Sequence, residues 1–366
     1  MSNSPAGVYS ARMIAALFAE GALLAERTLD ADQIQPASLD MRLGHLAYRV
    51  RASFLPGPGV AVADRIADLK LHEIELGAGA VLERGCVYLV PLLESAALPE
   101  ALSATANPKS STGRLDIFTR VICDGARGFD AVPAGYRGPL YLEISPRTFP
   151  VLVRTGSRLS QMRFRSGETR LSAAEHRELH KRVPLVFDAN AEIGDGVSLS
   201  IDLVGEGRGG LIGFRSKRHT AVIDIDRRGA LDVLDFWEPL MMRGKPELIL
   251  DPDEFYILVS REAVEVPPDH AAEMVPFDPL VGEFRVHYAG FFDPGFGHAA
   301  AGGAGSRAVL EVRSREVPFL VGHGQTIGRL VYERMAEIPE TLYGAGLGSN
   351  YQAQSLKLSK HFRDWP

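Results

Sequence analysis

The chain has 366 residues, of which 46% are hydrophobic and 23% charged, and its formal net charge at pH 7 is −6. This composition is typical of an ordinary globular protein with two domains, and no apolar run is long enough to span a membrane. The negative charge disfavours a general nucleic-acid-binding role, which needs a basic surface. Two cysteines, Cys86 and Cys123, are too few for a disulfide framework or a structural zinc site. A reducing cytoplasm is therefore the expected location.

The first half of the chain begins with one helical pattern and continues as short strands. Ser10 is in position to cap a helix within 8–26, a segment that lacks the basic leader and cleavage site of a signal peptide. Later segments are short, bounded by glycine or proline, and rich in Val, Ile, Leu, Tyr and Phe, as in 86–92 and 138–145. This pattern favours a β-sandwich or β-barrel.

Between two of these strands, residues 108–115 read PKSSTGRL. Serine and threonine hydroxyls and backbone amides donate to phosphate oxygens, Lys109 offers a point charge, and Arg114 offers a bidentate fork. Gly113 lets a ligand approach the backbone closely. By itself the segment is as consistent with a solvated surface turn as with a phosphate site.

A polar stretch at 165–182 follows the first half, and its Ser172 and Glu175 form a capping-box pattern that predicts a helix over 172–182. The order of the strands then repeats. Segments 86–90, 140–145 and 154–164 recur 168 residues later, at 254–258, 308–313 and 322–332, and 36–44 has a weaker echo at 197–205. The repeat indicates an internally duplicated β domain. The predicted divisions are a first domain at 1–168, a linker with a short helix at 169–190, and a second domain at 191–366.

Two patterns near the start of the second half have simpler explanations than the motifs they resemble. Residues 205–210 fit GxGxxG, but the sequence after them predicts a strand rather than the helix that a dinucleotide site requires. His176 and His180 share a helix face but lack the HExxH pattern and a third ligand, so a solvated helix face is expected. No Cys/His cluster and no GxSxG elbow occur elsewhere.

Further along, residues 286–297 read VHYAGFFDPGFG, in which the Asp-Pro-Gly turn predicts a hairpin with phenylalanines as packing residues. The next strand carries Glu311 among apolar neighbours. A buried carboxylate suits acid–base chemistry, whereas a close Arg313 would oppose it. The alternative is an edge glutamate that faces water, and Glu143 has the matching place in the first repeat. Residues 348–355, GSNYQAQS, are either a tail that closes over a ligand or a disordered terminus.

Together these segments resemble the dCTP deaminase branch of the dUTPase-like superfamily. The motifs that carry the resemblance, in the family's order, are QPASLDMRLG at 35–44, KSSTGRL at 109–115, AGFFDPGF at 289–296 with its glutamate strand, and NYQAQ at 350–354. The resemblance covers most of the chain as two copies of a domain that usually occurs once. It implies a mainly β fold, with two tandem dUTPase-like distorted β-barrel or jelly-roll domains and a few short helices.

Each copy departs from the family where the other is intact. Residues 277–282 read FDPLVG where a second KSSTGR should fall, and the first hairpin has lost the AGFxDPGF pattern. An insertion at 298–305 precedes the second glutamate strand, and Asn350 replaces the family's lysine. Because family sites are assembled between neighbouring domains, we expect one composite site per chain, with phosphates bound by the first repeat and base and chemistry by the second.

The resemblance implies a hydrolase of a cyclic amidine that converts dCTP to dUTP and ammonia, supplying dUTP for dUMP and dTTP synthesis. Glu311 would shuttle protons, the carbonyl of Ala289 would position water, and Ser110 and Arg114 would orient the reacting groups. Zinc is not expected, since the HxE…PCxxC signature is absent, and Mg²⁺ would arrive with the nucleotide. The substrate-binding residues that the resemblance implies are Lys109, Ser111, Thr112, Gly113, Gly290, Phe291, Asp293, Phe296, Tyr351, Gln352 and Gln354.

Two other functions are consistent with the sequence. A dUTP pyrophosphatase, alone or combined with the deaminase, would need a carboxylate that activates water toward phosphorus, and Asp293 in the hairpin turn is acidic. A non-catalytic nucleotide sensor is the other alternative. The expected ligands are dCTP and dUTP, with dTTP as a feedback inhibitor by resemblance. Neither nucleic acid nor a membrane is expected as a partner, and both a monomer and a homo-oligomer fit the sequence.

Overall fold

The structure, a computed structural model, describes residues 6–188, 190–276, 284–287, 290–314, 316–344 and 356–365. The chain divides into two compact units. The first contains Met1–Thr169, Ala221–Arg228 and Met335–Glu340, and the second contains Arg170–Thr220, Gly229–Arg334 and Thr341–Pro366. This division differs from the sequence-based one in two respects. The helix after Ser172 belongs to the second unit, and two short segments from later in the chain complete the first.

The described residues contain five α-helices and one 3₁₀ turn, Ala299–Ala301. The helices are α1 Ala11–Ala19, α2 Val62–Leu69, α3 Ser110–Gly113, α4 Ala173–Arg182 and α5 Val233–Phe236. The predicted cap of α1 is confirmed, because the Ser10 hydroxyl accepts the N–H of Met13. The helix is shorter than 8–26, however, since the chain reverses at Gly21 (φ +72°) and then enters a strand. The predicted capping box of α4 is also confirmed. None of these helices combines the length and the apolar character that crossing a bilayer requires.

The strands account for most of the regular structure. Those before α4 are β1 Gly7–Val8, β2 Leu23–Ala25, β3 Ile34–Gln35, β4 Ser38–Arg42, β5 Leu46–Val50, β6 Lys70–Glu75, β7 Ala80–Leu82, β8 Val87–Ala97, β9 Leu102–Pro108, β10 Ile117–Cys123, β11 Ala131–Val132, β12 Arg137–Pro146, β13 Val151–Val153 and β14 Arg158–Ser166. Those after α4 are β15 Ile193–Gly194, β16 Gly196–Ser200, β17 Leu211–Ser216, β18 Ile223–Asp224, β19 Trp237–Met241, β20 Glu247–Leu250, β21 Phe255–Val264, β22 His270–Pro276, β23 Phe284–His287, β24 Phe291–Phe292, β25 Ser306–Ser314, β26 Phe319–Gly322 and β27 Thr326–Arg334.

The two units have the same sheet order. One sheet runs β11-β9-β14-β4-β3 in the first unit and β24-β22-β27-β16-β15 in the second. The other runs β10-β12-β8-β5-β6 in the first unit and β23-β25-β21-β17-β19 in the second. The smaller pair β13-β7 likewise corresponds to β26-β20. The protein is therefore mainly β, with two tandem domains of dUTPase-like type and few helices, as the resemblance implies.

A buried glutamate in each unit shows how closely the two correspond. Glu94 in β8 accepts the backbone N–H of Arg42 at 2.8 Å, and Glu262, 168 positions later in β21, accepts the backbone N–H of Ser200 at 2.7 Å. These contacts make Ser200 the counterpart of Arg42. The sequence similarity between 36–44 and 197–205 would instead pair Arg42 with Leu203. It therefore differs by three residues from the correspondence that the strands show.

The first unit is completed by the two later segments. In the first of these segments, strand β18 pairs in parallel with β13 and is held by Arg154. The guanidinium of Arg154 donates to both carboxylate oxygens of Asp224, at 2.8 and 2.9 Å. The other segment passes so close to Gly7 (φ +143°) that a Cβ there would lie 2.3 Å from the nitrogen of Ala336. Only glycine permits this approach.

The two motif-like patterns of the second half have structural roles. Residues 205–210 form a turn that leads into β17, so the exclusion of a dinucleotide loop is confirmed. The expected solvated face at His176 is wrong, because this side chain is 0% exposed. Its Nδ1 lies 2.9 Å from the carbonyl of Ser172 and its Nε2 accepts the N–H of Tyr332 at 3.1 Å. Burial lowers the pKa of His176 and favours the neutral ring.

Candidate nucleotide site

The PKSSTGRL segment folds into the single turn α3 between β9 and β10. The carbonyl of Lys109 accepts the N–H groups of Thr112 at 2.8 Å and Gly113 at 3.0 Å, while the Lys109 N–H donates to the carbonyl of Leu159 at 3.0 Å. Three of the side chains that follow Lys109 are buried: Ser111, Thr112 and Arg114. The solvated surface turn that the sequence also allowed is therefore excluded. The segment is a built part of the first unit.

Lys109 connects this turn to the QPASLDMRLG motif. Its ammonium forms a salt bridge with Oδ2 of Asp40, which lies on β4. The same oxygen lies 3.3 Å from Nη1 of Arg158. The Asp40 side chain is only 2% exposed, and among the described residues its Oδ1 has no hydrogen-bond partner. The two motifs thus meet at one buried carboxylate, although Asp40 and Lys109 lie 69 positions apart in sequence.

Arg158 is held in turn by two further carboxylates. Its Nη2 lies 2.6 Å from Oδ1 of Asp32 and 3.6 Å from Oδ2 of Asp30. Burial opposes the charge of both groups, but their hydrogen bond prevails, raising the pKa of Arg158 and lowering that of Asp32. With Lys109 and Asp40, the cluster contains two cations and three carboxylates, so its formal charge is −1.

Glu143 lies on β12 in the same unit and is 1% exposed. It is directly opposite Arg120 on β10 and Leu89 on β8. Arg120 donates to Oε1 of Glu143 from Nε at 2.9 Å and from Nη2 at 2.5 Å, and its guanidinium carbon lies 3.4 Å from the ring centre of Phe129. One carboxylate oxygen of Glu143 is therefore occupied by an arginine that is itself held by an aromatic ring.

Glu311 has the equivalent position on β25 of the second unit. It is directly opposite Ile257 on β21 and His287 on β23, and it is 5% exposed. Because β25 lies between two strands, the alternative of an edge glutamate facing water is wrong. The guanidinium of Arg313, two positions later, donates to the carbonyl of Asp253.

The Asp293-Pro-Gly295 turn forms as predicted, but the simple hairpin does not. Strand β24 before the turn pairs with β22 in the other sheet, whereas β23 pairs with β25. The carbonyl of Gly290 accepts the N–H of Met274 at 3.0 Å. Phe291, Asp293 and Phe296 are buried, and the ring of Phe296 contacts that of Phe292 with centroids 4.9 Å apart.

The 298–305 insertion lies between the turn and β25, and it is not the cause of this pairing, because β11 pairs with β9 in the same way in the first unit. His298 caps the 3₁₀ turn, and the N–H of Gly305 donates to the carbonyl of Gly297 at 2.9 Å. A Cβ at Gly303 would lie 2.4 Å from the backbone of Gly297, so the insertion folds back tightly on the turn. The inserted residues follow Phe296 and Gly297 directly, and β25 begins immediately after them.

Ala289, Tyr351, Gln352 and Gln354 lie outside the described residues, as do Asn350 and the FDPLVG segment. The residues that flank the predicted tail are held in the second unit. On one side, the N–H of Tyr343 donates to the carbonyl of Pro294 at 2.8 Å. On the other, the ring of Phe362 contacts those of Phe236 and Trp237, with centroids 5.4 and 5.9 Å apart.

The sequence did not reveal the residues that contact the predicted site residues. Asp40 was part of a quoted motif, which was the available signal, whereas Arg158, Arg120 and Phe129 had none. A cavity of about 360 Å³ in the first unit contains none of the predicted site residues in its lining, which is Arg27, Thr28, Asp30, Arg42, Leu93, Arg154, Thr155, Gly156, Ser157 and Asp226. Over the described ranges, no group of three or more His, Cys, Asp or Glu side chains is arranged to hold a metal.

The paired sheets of each unit, with the KSSTGRL turn in one and the AGFFDPGF segment bordering a buried glutamate strand in the other, define a protein of tandem dUTPase-like domains. Residues 5–168 match the N-terminal domain family of 2'-deoxycytidine 5'-triphosphate deaminase, and residues 172–362 match its C-terminal domain family. The chain belongs to the dCTP deaminase family.

Individual relatives agree with this assignment. A solved 2'-deoxycytidine 5'-triphosphate deaminase from Agrobacterium tumefaciens is 65% identical, with a TM-score of 0.87 over 92% of this chain and 100% of that chain. A dCTP deaminase from Haloarcula marismortui is 35% identical over 151 residues, which are 40% of this chain and 73% of the relative. A dUMP-forming dCTP deaminase from Dictyoglomus turgidum is 35% identical over 136 residues, 36% of this chain and 66% of the relative.

Proposed function

We propose that this protein hydrolyses dCTP to dUTP and ammonia. One observation carries the proposal: both halves of the chain match the two domain families of one deaminase, and a solved member is 65% identical over almost the whole chain. In the reaction, water adds to C4 of cytosine, a proton reaches the ring nitrogen, and the 4-amino group leaves as ammonia. The proposed substrate is the nucleotide with its own Mg²⁺, and the proposed location is the cytoplasm, where such a product feeds nucleotide synthesis.

Glu311 is the proposed proton shuttle. Its place in the interior of a sheet supports this role, because burial brings a carboxyl group toward the protonation range that acid–base catalysis needs. Glu143 has the same place in the first unit, but Arg120 occupies one of its oxygens with two hydrogen bonds. A carboxylate held in this way is better suited to structure than to proton transfer. The carbonyl of Ala289 is the proposed anchor for the attacking water.

Residues of the first unit are proposed to bind the triphosphate. The α3 turn presents Ser110, Ser111, Thr112, Gly113 and Arg114 in one compact element, and its backbone is ordered by bonds to the Lys109 carbonyl. Gly290, Phe291, Asp293 and Phe296 of the second unit are proposed for the base, and Tyr351, Gln352 and Gln354 for closure over the phosphates. The division of one site between the two repeats stays a prediction of the sequence, as does inhibition by dTTP.

A second activity, cleavage of dUTP to dUMP and pyrophosphate, is favoured by one specific observation. Relatives that are 29–35% identical, including those from Dictyoglomus turgidum and Sulfurihydrogenibium, are named dUMP-forming dCTP deaminases. Water attack on the α-phosphorus would need a carboxylate as base, and Asp293 is the proposed candidate. The bifunctional form is therefore the alternative to the deaminase alone.

The direct test is to incubate purified protein with Mg²⁺ and dCTP and to separate dCTP, dUTP and dUMP by chromatography while ammonia is measured. The deaminase predicts dUTP and ammonia in equal amounts. Accumulation of dUMP and pyrophosphate at the expense of dUTP establishes the bifunctional enzyme. Unchanged dCTP, in a preparation that binds the nucleotide, rejects the proposed activity in favour of a sensor. Addition of dTTP to the same assay tests feedback inhibition by a fall in rate.

A further inference from the structure

We propose that Asp40 is a positioning residue of the phosphate-binding turn and acts on it through Lys109. The inference rests on the proposed function, because it concerns the site at which the triphosphate would bind. It changes the expected role of Lys109. The resemblance implies that this lysine binds phosphate, whereas the structure gives it the role of holding α3 in place.

The backbone of Lys109 anchors the turn to the rest of the first unit. It occupies the N-cap position of α3, its carbonyl accepts the N–H groups of Thr112 and Gly113, and its own N–H is bonded to the carbonyl of Leu159. Any displacement of Lys109 therefore moves the turn that carries the serines and Arg114. The salt bridge to Asp40 fixes the side chain of this same residue, so Asp40 controls where the turn sits on β4 and β14.

The surroundings of Lys109 also reduce its value as a phosphate ligand. Its side chain is 19% exposed, and its charge is paired with a carboxylate that is 2% exposed. Lys109 and Arg158 together face three carboxylates, so the cluster is formally negative by one charge. A cluster of this sign does not attract a triphosphate, but it does hold two cations in fixed positions. Phosphate contact then falls to the hydroxyls, N–H groups and Arg114 of the turn.

The second unit supplies an internal comparison. By strand pairing, Asp40 lies opposite Gln161 on β14, and Ser198 lies opposite Arg329, 168 positions later, on β27. Arg158 and Thr326 likewise begin equivalent strands, and position 277, which corresponds to Lys109, is phenylalanine. Three members of the cluster, Lys109, Asp40 and Arg158, are thus replaced together in the repeat that has also lost KSSTGR. Residues that serve the turn as one unit are expected to be lost as one unit.

The test is a double-mutant cycle of Asp40→Asn, Lys109→Met and the double variant. Three quantities are measured in each protein: the Kd for inorganic triphosphate with Mg²⁺ by calorimetry, and KM and kcat for dCTP. Each single variant is expected to raise Kd and KM by about tenfold or more, as the loss of one charge-assisted interaction does, with kcat within about threefold. The double variant is expected to be no worse than either single one. Asp224→Asn, which breaks another arginine–carboxylate pair of the same unit, is the matched control and should leave Kd and KM unchanged.

Two results would overturn the inference. If Lys109 binds phosphate directly, Asp40→Asn releases it and leaves Kd unchanged or lowers it, while Lys109→Met raises Kd. Independent roles would instead make the two effects multiply in the double variant. Should Asp40→Asn fail to fold by circular dichroism, a normal Kd in Lys109→Met is sufficient to reject the inference. Because triphosphate binding is measured without turnover, wild-type protein that binds triphosphate but leaves dCTP intact contradicts the proposed function alone.

Discussion

Glu143 in the first unit and Glu311 in the second occupy the same position of the same sheet, and their surroundings differ. Both lie on a central strand, opposite Leu89 and Ile257, which are also 168 positions apart. On the other side, Glu143 faces Arg120, whereas the residue in register with Glu311 is His287. The first unit thus keeps its glutamate in a salt bridge, and the second has no arginine at that position.

The same contrast holds around α3, the turn that is proposed to bind phosphate. The first unit has Lys109, Asp40 and Arg158 joined by salt bridges, and the second has Ser198 and Thr326 at the positions of the last two. The strand order is nevertheless identical. The scaffold therefore depends on apolar strands and turns, while the charged side chains at equivalent positions can be replaced in either repeat. After a duplication, each copy of the domain can therefore lose different charged side chains while it keeps the same fold.

The largest expected effect separates the two glutamates. Glu311→Gln should lower kcat for dCTP by about 10²–10⁴-fold, the usual contribution of one acid–base group, and leave nucleotide binding within a few fold. Glu143→Gln should lower kcat by less than about tenfold, because the loss is one of local structure around Arg120. Steady-state rates on both variants, with circular dichroism to establish folding, make the comparison. Equal losses would indicate two sites per chain, the reverse order would move the chemistry to the first unit, and no loss in either would favour the sensor.

A smaller effect is expected at the turn. Arg114→Lys keeps the charge but removes the bidentate fork, so KM for dCTP should rise by about 10–100-fold with little change in kcat. The control variant in the second unit is Arg208→Lys, since the Arg208 side chain is likewise largely shielded from solvent, where it pairs with Asp202 at 2.8 Å. That variant should leave KM unchanged. A normal KM in Arg114→Lys would show that the turn does not bind phosphate.

A difference in stability between the two units is expected at Asp202, because the equivalent position of the first unit is Gly44, which has no side chain to form a salt bridge. Asp202 accepts the N–H groups of Val204 and Gly205 and pairs with Arg208. Burial alone would raise the pKa of Asp202, but these hydrogen bonds outweigh burial and lower the pKa to about 2. The stabilisation is therefore present above the ordinary value of 3.8 and is lost as pH falls toward 2.

Asp202→Asn should consequently destabilise the second unit at pH 7 by about 3 kcal/mol, the cost of breaking a buried pair. The difference in free energy of unfolding between this variant and the wild type should become smaller below pH 4. Urea unfolding followed by circular dichroism measures both, with the Asp224→Asn variant of the first unit as control. A pH-independent difference would mean that packing, rather than charge, accounts for the loss.

The smallest expected effect concerns His176, which is buried in α4 of the second unit, whereas His45 and His72 of the first unit are not buried. Because burial lowers its pKa from 6.5, the unfolded chain takes up a proton that the folded one excludes. Stability should therefore fall as pH drops from 7 to 5. In His176→Gln the Tm should be lower throughout, and its decrease over this pH range should be smaller by a few degrees. His270, whose pKa is also lowered by burial, should preserve part of the slope. An unchanged slope would show that His176 does not titrate on unfolding.

Much of the fold was accessible from the sequence because its signals are local. Short segments rich in Val, Ile, Leu, Tyr and Phe predicted β8, β12, β21 and β25, and the Ser172–Glu175 pair predicted the start of α4. The repeated spacing of 168 residues aligned most strands of the two units. For the site, the buried position of Glu311 and the Asp293-Pro-Gly turn were within reach. The pairing of β24 with β22 was not, since no local signal specifies which sheet a strand joins.

The sequence by itself determined the fold class, the repeat and the residues that resemble a dCTP deaminase, because strand periodicity, caps and motif order are read along the chain. Tertiary structure decided which of these residues meet. The salt bridge between Lys109 and Asp40, the hold of Arg120 on Glu143 and the transfer of β18 to the first unit all join distant positions. Such contacts depend on the geometry of packed strands, and neither partner carries a local signal of the other.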